Sequence, residues 1–319
     1  MNVLLTGASG FMGRNFLLRA PADWRILALY RNDAAFPEFV SGLNRSNIAA
    51  AQCDLADPGQ VSALAERHGR EWESFLFLGA KVDIPWSVRE PKEDLLVNTV
   101  PVLNLLDAIH TGRLVYFSSG AVYDGFKGEV DPTAKIAPTL PYAISKLACE
   151  HYVRFHHQRR QSVENYMVVR FFGAYGPYEA PHKIYTRLVR AFAIEGRHEY
   201  TIYGDGQNLI DAMYVDDAID AIQRILTGNR WNATINLASG HPMTIEALVR
   251  EAAEALGVRP VHIEKEGVAH ENIEFRASTH EMRNWYGFEP GTRLSEGLPR
   301  LRDFLAAQAT GQYTKSPSA

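Results

Sequence analysis

Tyr142 and Lys146 stand four residues apart in Pro141-Tyr142-Ala143-Ile144-Ser145-Lys146, a run that reads as the opening of a helix with proline in its first turn. At that spacing both side chains leave one helix face. An ammonium beside a phenol stabilises the phenolate and lowers a pKa that starts near about 10. A phenol tuned in this way can exchange a proton with a hydroxyl or carbonyl oxygen while hydride moves at the adjoining carbon. Among 14 tyrosines such a pair carries little weight alone. Its force comes from residues 114–118, a strand pattern that runs into Ser118-Ser119-Gly120. Ser119 there can hydrogen-bond the substrate oxygen that Tyr142 protonates; in isolation the tripeptide reads as a strand-ending turn.

A second site precedes it. Residues 3–6 form a short apolar strand that meets Gly7-Ala8-Ser9-Gly10-Phe11-Met12-Gly13. Gly7, Gly10 and Gly13 permit a sharp turn, close approach to a pyrophosphate and packing of the next helix on the strand. Ser9, Phe11 and Met12 lie in the same turn, where a helix start offers free N–H groups to phosphate oxygens. The spacing is G-x-x-G-x-x-G rather than G-x-G-x-x-G. The next strand ends Leu29-Tyr30-Arg31-Asn32. An acidic residue there accepts the ribose 2′-hydroxyl of NAD, whereas arginine suits a 2′-phosphate. Arg31 with Asn32 therefore favours NADP(H) over NAD(H), although Asp33 is within reach of the ribose and Arg31 alone also reads as a solvated cation.

The elements that must position these residues alternate. Strand patterns occupy 3–6, Arg25–Tyr30, Ile48–Gln52, 75–78, 114–118 and 167–171, and helical patterns occupy Pro58–His68, 92–110 and 142–159. Apolar strands alternating with helices predict an α/β fold, a doubly wound parallel (Rossmann-type) sheet with ligands at the strands' carboxyl ends. Residues 1–172 are expected to form the dinucleotide-binding domain. Residues 173–308, where glycines, prolines and aromatics break the rhythm, are expected to form a smaller substrate-binding lobe, with some segments such as 234–237 returning to the sheet. Residues 309–319 read as a disordered tail.

Composition removes other classes. A formal charge of -4 provides no basic field for nucleic acid. The two cysteines, Cys53 and Cys149, make neither a disulfide framework nor a zinc spacing, and no metal is expected. No stretch approaches the roughly 20 apolar residues of a membrane helix, and residues 2–6 lack the charge and length of a signal peptide. The expectation is a cytoplasmic protein with no membrane partner. His156-His157 lacks metal-binding companions and reads as a solvated helix face.

Together these residues resemble the extended short-chain dehydrogenase/reductase family, the NAD(P)-dependent nucleotide-sugar epimerases, dehydratases and reductases, over nearly the whole chain. Residues 6–13 look like the family's glycine motif, Tyr142 and Lys146 like its Tyr-x-x-x-Lys pair, and Ser119 occupies the place of its catalytic Ser or Thr. Asp54 and Leu55 resemble its adenine-contacting turn, Leu78, Gly79 and Ala80 its fourth-strand segment along the cofactor, and Asn98 its helix asparagine. Residues 170–177, including Phe172, and 203–206 resemble motifs flanking the substrate lobe. The resemblance implies a catalytic set of Ser119, Tyr142 and Lys146, a small-molecule sugar substrate, and a homodimer.

Departures narrow the reaction. Family 4,6-dehydratases carry acid residues just after the catalytic Thr, where this chain has Gly120 and Ala121. Hydride transfer at a sugar carbon, as a 4-keto reductase or epimerase, is therefore expected rather than dehydration. Where the family often holds Arg against a nucleotide diphosphate, the chain reads Leu209-Ile210-Asp211, and Gly173 stands for an Asn. Isoleucine cannot make the bidentate contacts of arginine. Lys183, Arg187 and Arg190 are candidates to replace it; Lys81, Gly120, Tyr123 and Gly173 complete the expected substrate surface, with Tyr123 equally readable as core. Two alternatives stay open: the same chemistry on a non-nucleotide sugar, lactone or hydroxy acid, and a non-catalytic NADP-binding regulatory subunit.

Overall fold

The computed structural model describes residues 1–268 and 273–310. Its first half alternates β1 (Asn2–Thr6), α1 (Phe11–Arg19), β2 (Arg25–Tyr30), α2 (Phe36–Gly42), β3 (Ile48–Gln52), α3 (Pro58–His68) and β4 (Glu71–Phe77). There follow α4 (Ile84–Arg89), α5 (Pro91–Asn98), α6 (Val100–Ala108), β5 (His110–Ser119), a 3-10 turn (Gly120–Tyr123), β6 (Lys127–Val130), α7 (Pro141–Phe155) and β7 (Val163–Phe171). Beyond lie β8 (Ala174–Tyr175), α8 (Ile184–Val189), β9 (Glu199–Tyr203), β10 (Leu209–Ile210), β11 (Met213–Tyr214), α9 (Val215–Thr227) and β12 (Ala233–Leu237). The described chain closes with β13 (Met243–Thr244), α10 (Ile245–Ala255), β14 (His262–Glu266), β15 (Glu274–Ala277), α11 (His280–Tyr286) and α12 (Leu294–Ala309).

Seven strands form one parallel sheet in the order β12-β7-β5-β4-β1-β2-β3. Side chains alternate between its faces, so Val3 and Leu5 of β1 enter one core while Leu4 enters the other. Burial on both faces explains why these strands read as continuous apolar runs. Strand order runs outward in both directions from β1 and β4, which makes the carboxyl ends of these two strands the switch point where such sheets take a ligand.

The segments after residue 172 divide. Residues 233–237 pair with β7 as the sheet's edge strand, and α9 lays its apolar stripe of Val215, Ala218, Ile219, Ile222 and Leu226 into the α1 side of the core. Each fully buried aliphatic chain there contributes about 1.5–3 kcal/mol. The short pairs β9–β14 and β10–β13 and the helices α8, α10 and α12 pack with one another as a second group of elements.

Two features depart from the sequence pattern. The helix expected over 92–110 is two helices, broken at Thr99, because Pro101 has no N–H to continue the ladder; residue 110 already belongs to β5. The sequence-expected tail begins one residue inside α12, and its residues 311–319 lie outside the described residues. Among the described residues no helix is long and apolar enough to cross a membrane, and no cluster of three metal-ligating side chains occurs.

Candidate active site

Gly7 has φ of 65°, and a Cβ on it would stand 2.8 Å from the Gly79 nitrogen, so the glycine turn and the segment after β4 touch backbone to backbone. A Cβ on Gly13 would collide with the Gly7 carbonyl and Ala8, which lets α1 lie against the turn. Gly10 differs: it is exposed, it is the N-cap of α1, and no side chain caps the helix. The first-turn N–H groups at Phe11 and Met12 thus end at an open surface, flanked by the partly exposed Ser9, Leu78 and Gly79 and the exposed Ala80. This donor set fits the diphosphate of a dinucleotide. Arg31 and Asn32 are exposed at the end of β2, and the Gln52 amide fixes the Arg31 carbonyl at 2.9 Å. The partly exposed Asp54 and Leu55 follow β3.

Asn98 takes a different part from the one expected. It is buried, its Oδ1 accepts the Lys81 N–H at 2.9 Å, and its Nδ2 donates to Asp94 at 2.8 Å. It fixes the backbone after β4 and has no free donor for a cofactor. Asp94 also accepts the Ser145 hydroxyl at 2.7 Å, tying α5 to α7.

At the sheet's carboxyl end, β5 delivers Ser119 and α7 delivers Tyr142 and Lys146. The Ser119 hydroxyl accepts the Ala121 N–H at 3.1 Å and sits close enough to the Tyr142 phenol to favour its ionised form. Burial nevertheless dominates and holds the phenol well above the usual tyrosine range, with Asp94 adding to the rise. Lys146 is not among the groups acting on Tyr142. Its Nζ donates to the Phe117 carbonyl at 2.6 Å, and burial lowers its pKa to about 8 against the opposing pull of Cys149, Glu150 and Asp94. The expected acidification of Tyr142 by Lys146 is therefore corrected: the ammonium is directed at the Phe117 carbonyl, and burial favours the neutral phenol. A phenol held neutral by burial carries the proton that a reduction consumes, but as a weaker acid than free tyrosine.

Beneath these groups lies a network that sequence reasoning missed. The Ser118 hydroxyl donates to Glu150 at 2.7 Å, and Arg170 grips both Glu150 oxygens at 3.0 and 2.9 Å. Arg170 also donates to the Tyr123 hydroxyl at 2.9 Å, which donates to Asn236 at 2.7 Å. The signal was present: Glu150 continues the i, i+4 series of Tyr142 and Lys146 on an otherwise apolar face, where a lone carboxylate requires a partner.

The expected substrate residues disperse. Tyr123 is corrected to a core residue, fully buried among Phe126, Phe172 and Phe275 with its hydroxyl engaged. Gly120 is buried too, and a Cβ there would stand 3.1 Å from the Phe172 ring. Gly173, with φ of 141°, backs onto Ala212. Lys81 is exposed, its Nζ 3.1 Å from the Trp86 ring centre. Lys183 is the N-cap of α8. Arg187 and Arg190 line a groove of about 330 Å³ with Glu195, Arg197 and Tyr203, and no catalytic candidate lines it. Ile210 packs against the main core. His156 is buried and bonded to Ser162 at 2.9 Å, which corrects the solvated-face reading.

Comparison with known proteins agrees with this architecture. The profile described as NAD dependent epimerase/dehydratase family matches residues 3–238. Among curated proteins, a dTDP-glucose 4,6-dehydratase of Xanthomonas campestris pv. campestris is 29% identical over 256 residues, covering 73% of this chain and 70% of its own. A UDP-glucose 4-epimerase of Mycolicibacterium smegmatis is 25% identical over 317 residues, covering 96% and 98%. Among solved structures, MoeE5 in complex with UDP-glucose and NAD superposes with a TM-score of 0.82 at 25% identity, covering 97% of this chain and 100% of that one. The Thermotoga maritima UDP-glucose 4-epimerase with UDP-glucose gives 0.84 at 22% identity over 97% and 100%.

Proposed function

Because the chain belongs to the NAD-dependent epimerase/dehydratase family, an enzyme group of the extended short-chain dehydrogenase type, we propose that it is a nucleotide-sugar epimerase or 4-keto reductase and not a 4,6-dehydratase. The observation that carries the reading is geometric: β5 ends at Ser119 beside the Tyr142 phenol, and Lys146 stands one turn further along α7. The bound nicotinamide supplies or accepts the hydride. Tyr142 gives its proton to the substrate oxygen in the reductive direction and takes it back in the oxidative one. Ser119 orients that oxygen, and Lys146, whose Nζ meets the Phe117 carbonyl, is the residue assigned to hold the nicotinamide ribose.

Gly120 supports the exclusion of dehydration. Elimination of water needs an acid and a base near the sugar, and any side chain at 120 would press into Phe172. Preference for NADP(H) rests on Arg31, exposed at the end of β2 and in no ion pair among the described residues. A homodimer is supported by Val88, Leu95, Ile144, Tyr152 and Phe155, apolar side chains at least 40% exposed on the neighbouring helices α4, α5 and α7. Sedimentation of the full chain tests that assembly.

Turnover tests the reaction. Nucleotide 4-keto sugars should consume NADPH in proportion to product, or a 4-hydroxyl sugar should equilibrate with its epimer. Release of a 4-keto-6-deoxy product would overturn the exclusion of dehydration. Ile210 favours a second reading, in which the same chemistry acts on a sugar without a nucleotide. Free nucleoside diphosphate would then fail to compete with substrate.

A further inference from the structure

Arg14 joins the glycine turn to the loop after β2. Its Nε donates to the Ser9 carbonyl of the glycine turn at 2.9 Å, and its Nη2 donates to Asp33, beyond β2, at 2.7 Å. The guanidinium carbon lies 4.5 Å from the centre of the Phe39 ring, 5.4 Å from Tyr178 and 5.5 Å from Phe36. Its side chain is only 14% exposed. Three rings thus hold a planar cation in place and strip water from its faces, which strengthens its attraction for an anion. Asp33 is held as firmly. Its second oxygen accepts the Ala35 N–H at 3.1 Å, so the carboxylate is pinned between a backbone donor and Arg14.

Arg31 is the opposite kind of cation. It is exposed, its backbone is anchored through Gln52, and it makes no ion pair among the described residues. A partly buried arginine and an exposed one therefore flank the end of β2, and among the described residues Asp33 is the carboxylate bonded to the first. The ribose 2′ position of a dinucleotide falls at this corner, between the first glycine turn and the end of the second strand.

We infer that Arg14 is the second cation of a 2′-phosphate subsite, and that Asp33 limits its strength by competing for the same guanidinium. This inference rests on the NADP(H) reading of Arg31 and deepens it. Arg31 alone provides a charge that solvent screens. Arg14 provides a preorganised donor whose ordering cost is already met by the fold. The ligand chemistry is a phosphomonoester on an adenosine ribose.

The test measures binding, not turnover, by calorimetric titration of the full chain with NADP+, NAD+ and 2′,5′-ADP. Arg14→Met keeps the aliphatic stem between the rings and removes the charge. It is expected to weaken NADP+ and 2′,5′-ADP by about tenfold or more, as for loss of a charge-assisted bond, with NAD+ changed far less. Asp33→Asn leaves Arg14 in place and is expected to tighten 2′,5′-ADP several-fold without tightening NAD+. That second variant decides the matter if Arg14→Met proves unstable. Unchanged 2′,5′-ADP affinity in both variants, with Arg31→Ala still weakening it, overturns the inference and leaves the NADP(H) reading standing. Tighter binding of NAD+ than NADP+ by the unaltered protein overturns both. Loss of NAD+ affinity in Asp33→Asn, with 2′,5′-ADP unchanged, assigns Asp33 to a ribose hydroxyl and overturns the role given to Arg14.

Discussion

Ser118, Glu150, Arg170 and Tyr123, below the catalytic residues, are buried and bonded to one another at 2.7–3.0 Å. In the lobe above, Arg187 and Arg190 face solvent, and Arg187 makes a loose contact 5.7 Å from the Tyr200 ring. The first group is locked by mutual bonds, whereas the two arginines are not. Groups that share or transfer protons at a fixed carbon tolerate little displacement, so their positions are over-determined. Exposed cations away from the chemistry are under no such constraint, and exchange of one leaves the fold intact.

Breaking the buried side should have the largest effect. Tyr142→Phe removes the transferable proton and is expected to lower kcat about 10²- to 10⁴-fold, while cofactor affinity changes little; steady-state kinetics beside a titration separates the two. Next comes Arg170→Met, which strands the Glu150 carboxylate in the core. Denaturant unfolding should register a loss of about 3–5 kcal/mol, and the paired change Glu150→Leu with Arg170→Met should recover much of it. Failure of the pair to recover would show that the network's hydrogen bonds, not its charges, hold the floor.

The glycine turn, the parallel sheet and the Ser119, Tyr142, Lys146 set were legible because each depends on local spacing along the chain. The strand patterns found every central strand but started β4 at residue 75 and β5 at 114, since Glu71, Glu73 and Arg113 interrupt the apolar run at the sheet's far end. Glu150 with Arg170, and Arg14 with Asp33, escaped notice because each pair is separated by about twenty residues and meets only through the fold. Tyr123 was assigned from its place just after the Ser119 motif, and Lys183 from its helical spacing with Arg187 and Arg190. Motif position does not reveal that the Tyr123 hydroxyl already has partners on β7 and β12.

A milder perturbation sharpens the comparison through pH. Lys146 is charged below its pKa of about 8 and neutral above it. The ammonium is the form with a donor to spare for a cofactor hydroxyl beside the Phe117 carbonyl, so kcat/KM should fall as pH rises through about 8, approaching tenfold per pH unit. Lys146→Met should lack this limb at a lower plateau; a limb that persists belongs to another group. Smallest of all, Arg187→Ala and Arg190→Ala should each change KM less than about threefold, as expected for exposed sites away from the chemistry. A large rise in KM would assign them to the substrate's charged end and undo the contrast between locked floor and loose lobe.

Nicotinamide absorbance recorded through a single turnover, with enzyme in excess over a panel of nucleotide sugars and their 4-keto forms, tests the central claim most directly. A change in absorbance, transient for an epimerase and lasting for a reductase, is predicted for at least one substrate, and Tyr142→Phe should abolish it. Conversion of a sugar with no change in the nicotinamide signal, or an undiminished signal without Tyr142, would contradict the account.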